Sequence, residues 1–454
     1  TISAASRVGT GNVAGVAVAI SVGGPGAVFW MWLIAILGGA TAFIESTLAQ
    51  LWKVRDGDGY RGGPAYYMKR GLGWGPLGAL FSIAIAFTFG LVYNAFQTNA
   101  IADAVSFSFD RDDTMFRSVI GVVIAVVAGL IIFGGVNRIA NITQIIVPFM
   151  AVAYLLIGGF VVITNFDKVP GMIGDIVGHA LGIKEIAGAG LGAAMMKGIQ
   201  RGLFSNEAGE GSAPNAAATA AVSHPVKQGL VQTLGVYFDT LIVCTMTGLM
   251  ILATNSFNVL GPDEESLLAE HVPGVEEGPA WVQIAIDEAL PAFGPSFVAI
   301  AVFLFSFTTL LSFAFYAETN VAYLIPNKTA QRAVIAVARL LLAGSMVFGS
   351  VQSSALVWAF ADFGVGLYTW VNILALVLLS PVAIRLLKDY DRQRRAGQEP
   401  VLDPHAIGVR NARLWEQIHA AYQQTGDLDR AMEHVADTAP DTRAIAVVRG
   451  GPER

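Results

Sequence analysis

Arg7-Val-Gly-Thr-Gly-Asn-Val-Ala-Gly15 and Arg201-Gly-Leu-Phe-Ser-Asn-Glu-Ala-Gly209 share one pattern: Arg, four residues, Asn, one residue, Ala-Gly, at an offset of 194. Each stretch drops glycine and small polar residues into an otherwise apolar run. A helix broken inside a bilayer exposes N–H and C=O groups that hydrocarbon cannot satisfy, so such a break needs partners. N–H groups at the start of a half-helix attract a carboxylate, and carbonyls at the end of the preceding half attract a cation. Two breaks facing each other suit a zwitterion and a metal ion together. The plainer reading is that these glycines only let helices approach closely.

The surrounding composition demands a membrane. Hydrophobic residues make up 54% of the 454 positions, charged residues only 14%, and the mean hydropathy is +0.58. Soluble domains carry about 25% charged residues. Val119–Val136 has no charge, and Leu230–Ala253 is broken only by Asp239. Such runs exceed the ~18–20 residues a spanning helix needs and do not alternate as barrel strands do. The expected fold class is therefore an all-α polytopic membrane protein.

Ten spans are expected, at about 1–22, 27–52, 76–107, 116–136, 139–163, 187–222, 228–253, 294–325, 331–349 and 353–386. They form a transmembrane domain over 1–386, with repeat 1 at about 1–164 and repeat 2 at about 187–386, followed by a soluble, charged tail over 387–454. In that tail, 411–424 is expected to form a short amphipathic helix, and 59–70 reads as a loop or interfacial helix. The patterned stretches open each five-span half. Five is odd, so the halves are expected to be inverted, an arrangement typical of secondary transporters with broken helices. The chain opens at Thr1 already inside an apolar stretch, from which a missing N-terminal part is expected. Fourteen Lys and Arg flank the spans on one side and four on the other, where the loop 254–288 holds eight acidic residues and no basic one. The basic side, with the tail, is expected to be cytoplasmic and the membrane the inner one.

Several function classes are disfavoured. The lone Cys244 allows no disulfide framework, and the six histidines lack ligand spacing. No basic stripe suggests nucleic acid. Gly62-Gly-Pro64 lacks the Lys-Ser/Thr of a phosphate loop, so ATP is not expected as the driver. No nucleophile–base pair at catalytic spacing points to an enzyme.

At these residues the chain resembles the alanine or glycine:cation symporter family, within the amino acid–polyamine–cation superfamily. The resemblance rests on Gly9–Gly15, Gly23-Gly-Pro-Gly26, Phe29-Trp-Met-Trp32, Glu45-Ser-Thr-Leu-Ala-Gln50, Gly62-Gly-Pro-Ala-Tyr-Tyr67, Phe204-Ser-Asn-Glu-Ala-Gly209 and His224-Pro-Val226. Family members carry a further span ahead of this first one. The resemblance implies a five-plus-five inverted-repeat fold with broken first and sixth core helices. It also implies sodium-driven uptake of alanine, glycine or a close relative, with sodium as coupling ion and no other cofactor. Proton coupling through Glu207 or Glu45 is the alternative.

Carried onto this sequence, the resemblance assigns Gly9, Thr10, Gly11 and Asn12 to the substrate carboxylate. Phe204, Ser205 and Asn206 would offer carbonyls to the ammonium, Phe204 would wall the site, and Gly209 joins the same set. Gln97, with Asn94 beside it, would contact substrate from the third span, unless these amides only bridge helices. Thr308 and Thr309 of the eighth span, with Thr10 and Asn12 of the first, would hold sodium through hard oxygens. The two threonines could equally bond back to their own helix. Arg7 and Arg201 are expected as gates or anchors near the breaks, with Lys197 or Arg201 a candidate partner for Glu207. Glu210 departs from the family pattern, which more often has an apolar residue there, and is expected to face an aqueous vestibule.

Overall fold

The computed structural model describes residues 2–57, 59–184, 191–261 and 266–438. Among them, eight helices are long and apolar enough to cross a membrane: Ala27–Leu51, Gly75–Phe109, Thr114–Ile132, Arg138–Thr164, Pro225–Ala253, Gly294–Leu324, Lys328–Val351 and Ser354–Arg395. These correspond to the expected spans 2–5 and 7–10. Side chains such as Leu130, Ile145, Phe149, Leu156 and Trp370 point outward from the outer helices. Large apolar groups facing out are costly in water and at home in lipid. Span 8 (Gly294–Leu324) is the most enclosed and forms the pillar of the interior.

Spans 1 and 6 are the exceptions, and both are interrupted. The first runs as Ile2–Arg7, a 3-10 turn over Thr10–Asn12, then Ala14–Gly23. The sixth runs as Leu191–Asn206, an irregular stretch, then Ala213–Ala217. The expected start of span 6 at 187–190 and the end of the tail at 439–454 lie outside the described residues. Two unbroken spans also depart from α geometry, with π segments at Thr88–Val92 in span 3 and Phe238–Cys244 in span 7.

The connections carry structure of their own, and for 59–70 the helical alternative holds in its second half. Val54–Asp56 pairs antiparallel with Gly59–Arg61, and the stretch after it is a helix, Pro64–Gly71, started by Pro64 at its first turn. The acidic loop folds into a hairpin, Asn258–Leu260 against Leu267–Glu270, and a helix, Pro279–Ala289.

The tail, expected as a soluble, charged segment over 387–454, folds back onto the spans within its described residues. The span 10 helix continues to Arg395, and the chain then returns as Arg413–Thr425, matching the expected amphipathic helix, and Leu428–Thr438. Trp415 is fully buried and donates Nε1–H to the Gln50 carbonyl at 2.8 Å, while Trp52 donates to Arg410 O at 3.1 Å. A tryptophan that loses water on every side and keeps its N–H satisfied makes a firm anchor. The tail is thus packed on the end of span 2.

Candidate functional site

The two patterned stretches meet. A Cβ built on Gly11 would lie 3.0 Å from the Ser205 Cα, and one on Gly9 would lie 2.6 Å from Thr309 Oγ1. Only glycine lets the first break come this close to span 6 and span 8 at once. The gap that a helix break opens is therefore lined by the other break rather than by lipid.

The first break is satisfied mainly by side-chain amides. Gly9 N–H donates to Asn12 Oδ1 at 2.8 Å, and Thr10 N–H to Gln97 Oε1 at 3.3 Å. The Thr10 hydroxyl also donates to Gln97 Oε1, and it pairs with Ser306 Oγ at 2.6 Å. Asn12 Nδ2 donates to Asp239 Oδ1 at 2.6 Å, and Ser205 Oγ donates to the other oxygen of Asp239 at 2.9 Å. Asp239 therefore bridges the two breaks from the π segment of span 7.

The second break uses different means. Asn206 Oδ1 accepts from Ala208 N–H at 3.0 Å, and its Nδ2 donates to Thr240 Oγ1 at 3.1 Å. Glu207, Gly209 and Gly211 all take positive φ, at 55°, 83° and 88°. Glu45 of span 2 caps the exposed amides: Gly209 N–H donates to Oε1 at 3.3 Å and Gly211 N–H to Oε2 at 3.1 Å. Asn372 adds a third donor to Glu45 at 3.2 Å. Backbone donors of this kind are what a buried carboxylate requires.

Protein groups occupy both ends of the expected zwitterion site. The Gln97 amide oxygen sits on the Thr10 N–H and hydroxyl, where a carboxylate oxygen would be received. The Arg7 guanidinium donates Nε–H to the Asn206 carbonyl at 2.8 Å, on a carbonyl expected to meet an ammonium. Arg7 also donates to Gln232 Oε1 at 2.7 Å, which makes it an anchor tying span 1 to spans 6 and 7. Phe204 lies between the rings of Tyr93, Phe96 and Trp358, with centroids 5.5, 5.2 and 5.2 Å away, and so forms an aromatic wall.

Other expected residues are distributed less simply. Asn94 donates Nδ2 to the Phe89 carbonyl, which the π segment of span 3 frees, so its amide braces that segment. Thr309 Oγ1 lies 2.9 Å from both Ala5 O and Phe305 O, joining span 8 to the first half-helix. Thr308 bonds back to Phe305 O at 3.0 Å. Thr10 reaches span 8 through Ser306, whereas the Asn12 amide turns to Asp239 and Cys244 on span 7. The hard oxygens gathered near span 8 are thus those of Ala5, Thr10, Phe305, Ser306, Thr308 and Thr309.

Two charge assignments are corrected. Arg201 does not pair with Glu207; it makes a bidentate pair with Asp362 at 3.0 and 2.7 Å and stacks on Trp358 at 4.0 Å. Glu207 Oε2 instead accepts from the hydroxyls of Ser212 at 2.7 Å and Ser6 at 3.2 Å. Glu210 does not face a vestibule: it is 2% exposed and accepts from the Tyr368 hydroxyl at 2.9 Å. Asp239, Thr240 and Ser306 were not among the expected site residues. The one signal was the single charge of Asp239 in the apolar run of span 7.

Comparison with known proteins gives a consistent result. The family model described as "Sodium:alanine symporter family" matches residues 1–404. The amino-acid carrier protein AlsT of Bacillus subtilis (strain 168) is 47% identical over 91% of this chain and 84% of its own length. The "Probable sodium/glutamine symporter GlnT" of the same organism is 46% identical over 88% and 79%. A sodium/proton-dependent alanine carrier protein of Bacillus sp. (strain PS3) is 40% identical over 93% and 94%.

Proposed function

Since this chain belongs to the sodium:alanine symporter family, we propose that it carries a small neutral amino acid, alanine first, across the membrane together with sodium. The observation that carries this reading is the facing pair of breaks, where Gln97 holds the Thr10 donors and Arg7 the Asn206 carbonyl. An incoming carboxylate takes the Gln97 oxygen's place at Gly9, Thr10, Gly11 and Asn12. The ammonium takes the guanidinium's place at the Asn206 carbonyl, with the carbonyls of Phe204 and Ser205 as further acceptors and Gly209 supplying the turn beneath. In this exchange the substrate's own charged groups take over the Thr10 donors and the Asn206 carbonyl, so the freed backbone groups of both breaks stay satisfied as a membrane interior requires.

Sodium is assigned to the oxygens of Ala5, Thr308, Thr309 and Thr10, because hydroxyls and carbonyls suit a hard cation. In this reading the spans form a five-plus-five inverted repeat over residues 1–386, set in the inner membrane. The Lys- and Arg-rich side and the tail are then cytoplasmic. Glycine is a candidate substrate by the same reasoning, and the glutamine named for one relative is a competitor to test.

Uptake of radiolabelled alanine into proteoliposomes decides the matter. Saturable uptake driven by an inward sodium gradient, and lost when potassium replaces sodium at fixed pH, is expected. A linear flux, or uptake indifferent to sodium, would count against the proposal. A proton-coupled carrier of the same fold is the second reading, favoured by the name of one relative and by the carboxylates enclosed near the second break.

A further inference from the structure

Three carboxylates cluster at the second break, and they are not equally served. Glu45 receives two backbone N–H groups and the Asn372 amide. Glu207 receives two hydroxyls on one oxygen. Glu210 receives only the Tyr368 hydroxyl on Oε2, and its Oε1 is buried with no hydrogen-bond partner.

The charged groups that act on Glu210 are both acidic, and the other elements packed on it offer tyrosines. Glu207 lies on its own segment and Glu45 on span 2. Span 10 presents Tyr368 and span 3 presents Tyr93, whose hydroxyls are 3.4 Å apart. Beyond Tyr93 lies Asp362, and beyond Glu207 lies Tyr316 of span 8. Arg7 is the nearby cation, but it acts on Glu45 and Glu207, and its Nε and Nη1 donate to Asn206 and Gln232 rather than to Glu210. The Tyr368 ring is itself enclosed by Phe81 and Phe89, at centroid distances of 6.2 and 5.6 Å. An anion in such a place lacks both water and counter-charge.

A metal ion would require several oxygens around the free carboxylate atom, and one proton requires a single oxygen. We propose that Glu210 is a proton-binding site of this transporter: a proton from solvent forms an O–H bond at Oε1 and leaves from it when the second break rearranges. Tyr368 and Tyr93 connect this acid to Phe204, the wall of the substrate site. The occupied acid thus reports on whether that wall is in place. The proposal rests on the transport reading above and adds to it a titrating group outside the assigned substrate and sodium residues.

Infrared difference spectra of the purified full chain in lipid, wild type against Glu210→Gln, read the proton directly. The expected result at neutral pH is a protonated-carboxyl carbonyl band in wild type, absent from E210Q and shifted in Tyr368→Phe. Sodium-driven alanine uptake should fall about tenfold in wild type between about pH 6 and about pH 9, and change less than about twofold in E210Q. A carboxylate band at neutral pH, a carboxyl band displaced by adding sodium, or a wild-type pH profile in E210Q overturns the proposal. If the carboxyl band is present but wild type takes up no alanine, the proton site stands and the alanine reading fails.

Discussion

The two breaks share a sequence pattern and solve the same problem in opposite ways. In each, an asparagine oxygen caps a freed N–H, but Asn12 reaches back to Gly9 while Asn206 reaches forward to Ala208. The first break closes as a single 3-10 turn whose glycines serve close approach. The second runs through three positive φ angles and borrows a carboxylate, Glu45, from span 2. The arginines diverge as well: Arg7 crosses to the second break, and Arg201 pairs with Asp362 on span 10. One pattern can thus specify where a helix breaks without specifying what holds the broken ends.

The sharpest way to break this comparison is to remove the shared element. Asn12→Leu and Asn206→Leu should each lower alanine uptake by about a hundredfold, because both misplace donors by roughly an ångström. Initial rates in proteoliposomes check this, and normal uptake by either variant would show that the asparagines are not equivalent. Next comes the unshared element. Glu45→Ala leaves two buried N–H groups unmet and should destabilise the protein by about 3 kcal/mol, against about 1 kcal/mol for Asn12→Ala. Thermal unfolding in one detergent compares the two, and equal losses would erase the distinction.

A smaller effect is expected at the arginine of the second break. Arg201→Lys keeps the charge but loses the two-pronged pairing with Asp362 and the stacking on Trp358, and should raise KM about fivefold. Adding Asp362→Asn should worsen it little if the two act as a unit. The mildest prediction concerns Lys53, which lies just past span 2 and donates to Ala220 O at 2.8 Å beyond the second break. Its ammonium faces the rings of Tyr60 and Trp415, yet burial lowers its pKa to about 7. An exposed lysine keeps its proton to about pH 10.4, so between these values the undocked tail binds more protons and docking tightens as pH rises. Below about 7 both states are charged and the dependence disappears. Quenching of Trp415 fluorescence should follow this course in wild type and flatten in Lys53→Met.

Both breaks and the spans could be read from the chain because apolar length and glycine interruption are local properties. The partners were harder. Arg201 has Glu207 within two helical turns in sequence, yet bonds to Asp362, 161 residues away. Glu210 read as solvent-facing because a charge near a break suggests water, whereas Tyr368 on span 10 closes over it. Asn94, expected beside the substrate, donates its amide to the Phe89 carbonyl of its own helix, a contact that follows from the π segment. The docking of the tail through Trp415 onto the Gln50 carbonyl, 365 positions away, likewise leaves no mark in the local sequence. The partners of Arg201 and Glu210 are contacts chosen by tertiary packing, which periodicity does not encode.

The π segment at Phe238–Cys244 has a consequence for how span 7 can be altered. A widened turn accommodates a surplus residue, so the helix beyond it is out of phase by roughly 100° with an uninterrupted continuation. The segment from Asp239 to Cys244 addresses the two breaks, while Thr247 beyond it meets Tyr154 of span 5. Deleting one residue there would restore ordinary winding and force a choice of register. Either the acid keeps its place and the outer half turns away from span 5, or the outer half stays and the acid swings out of the site.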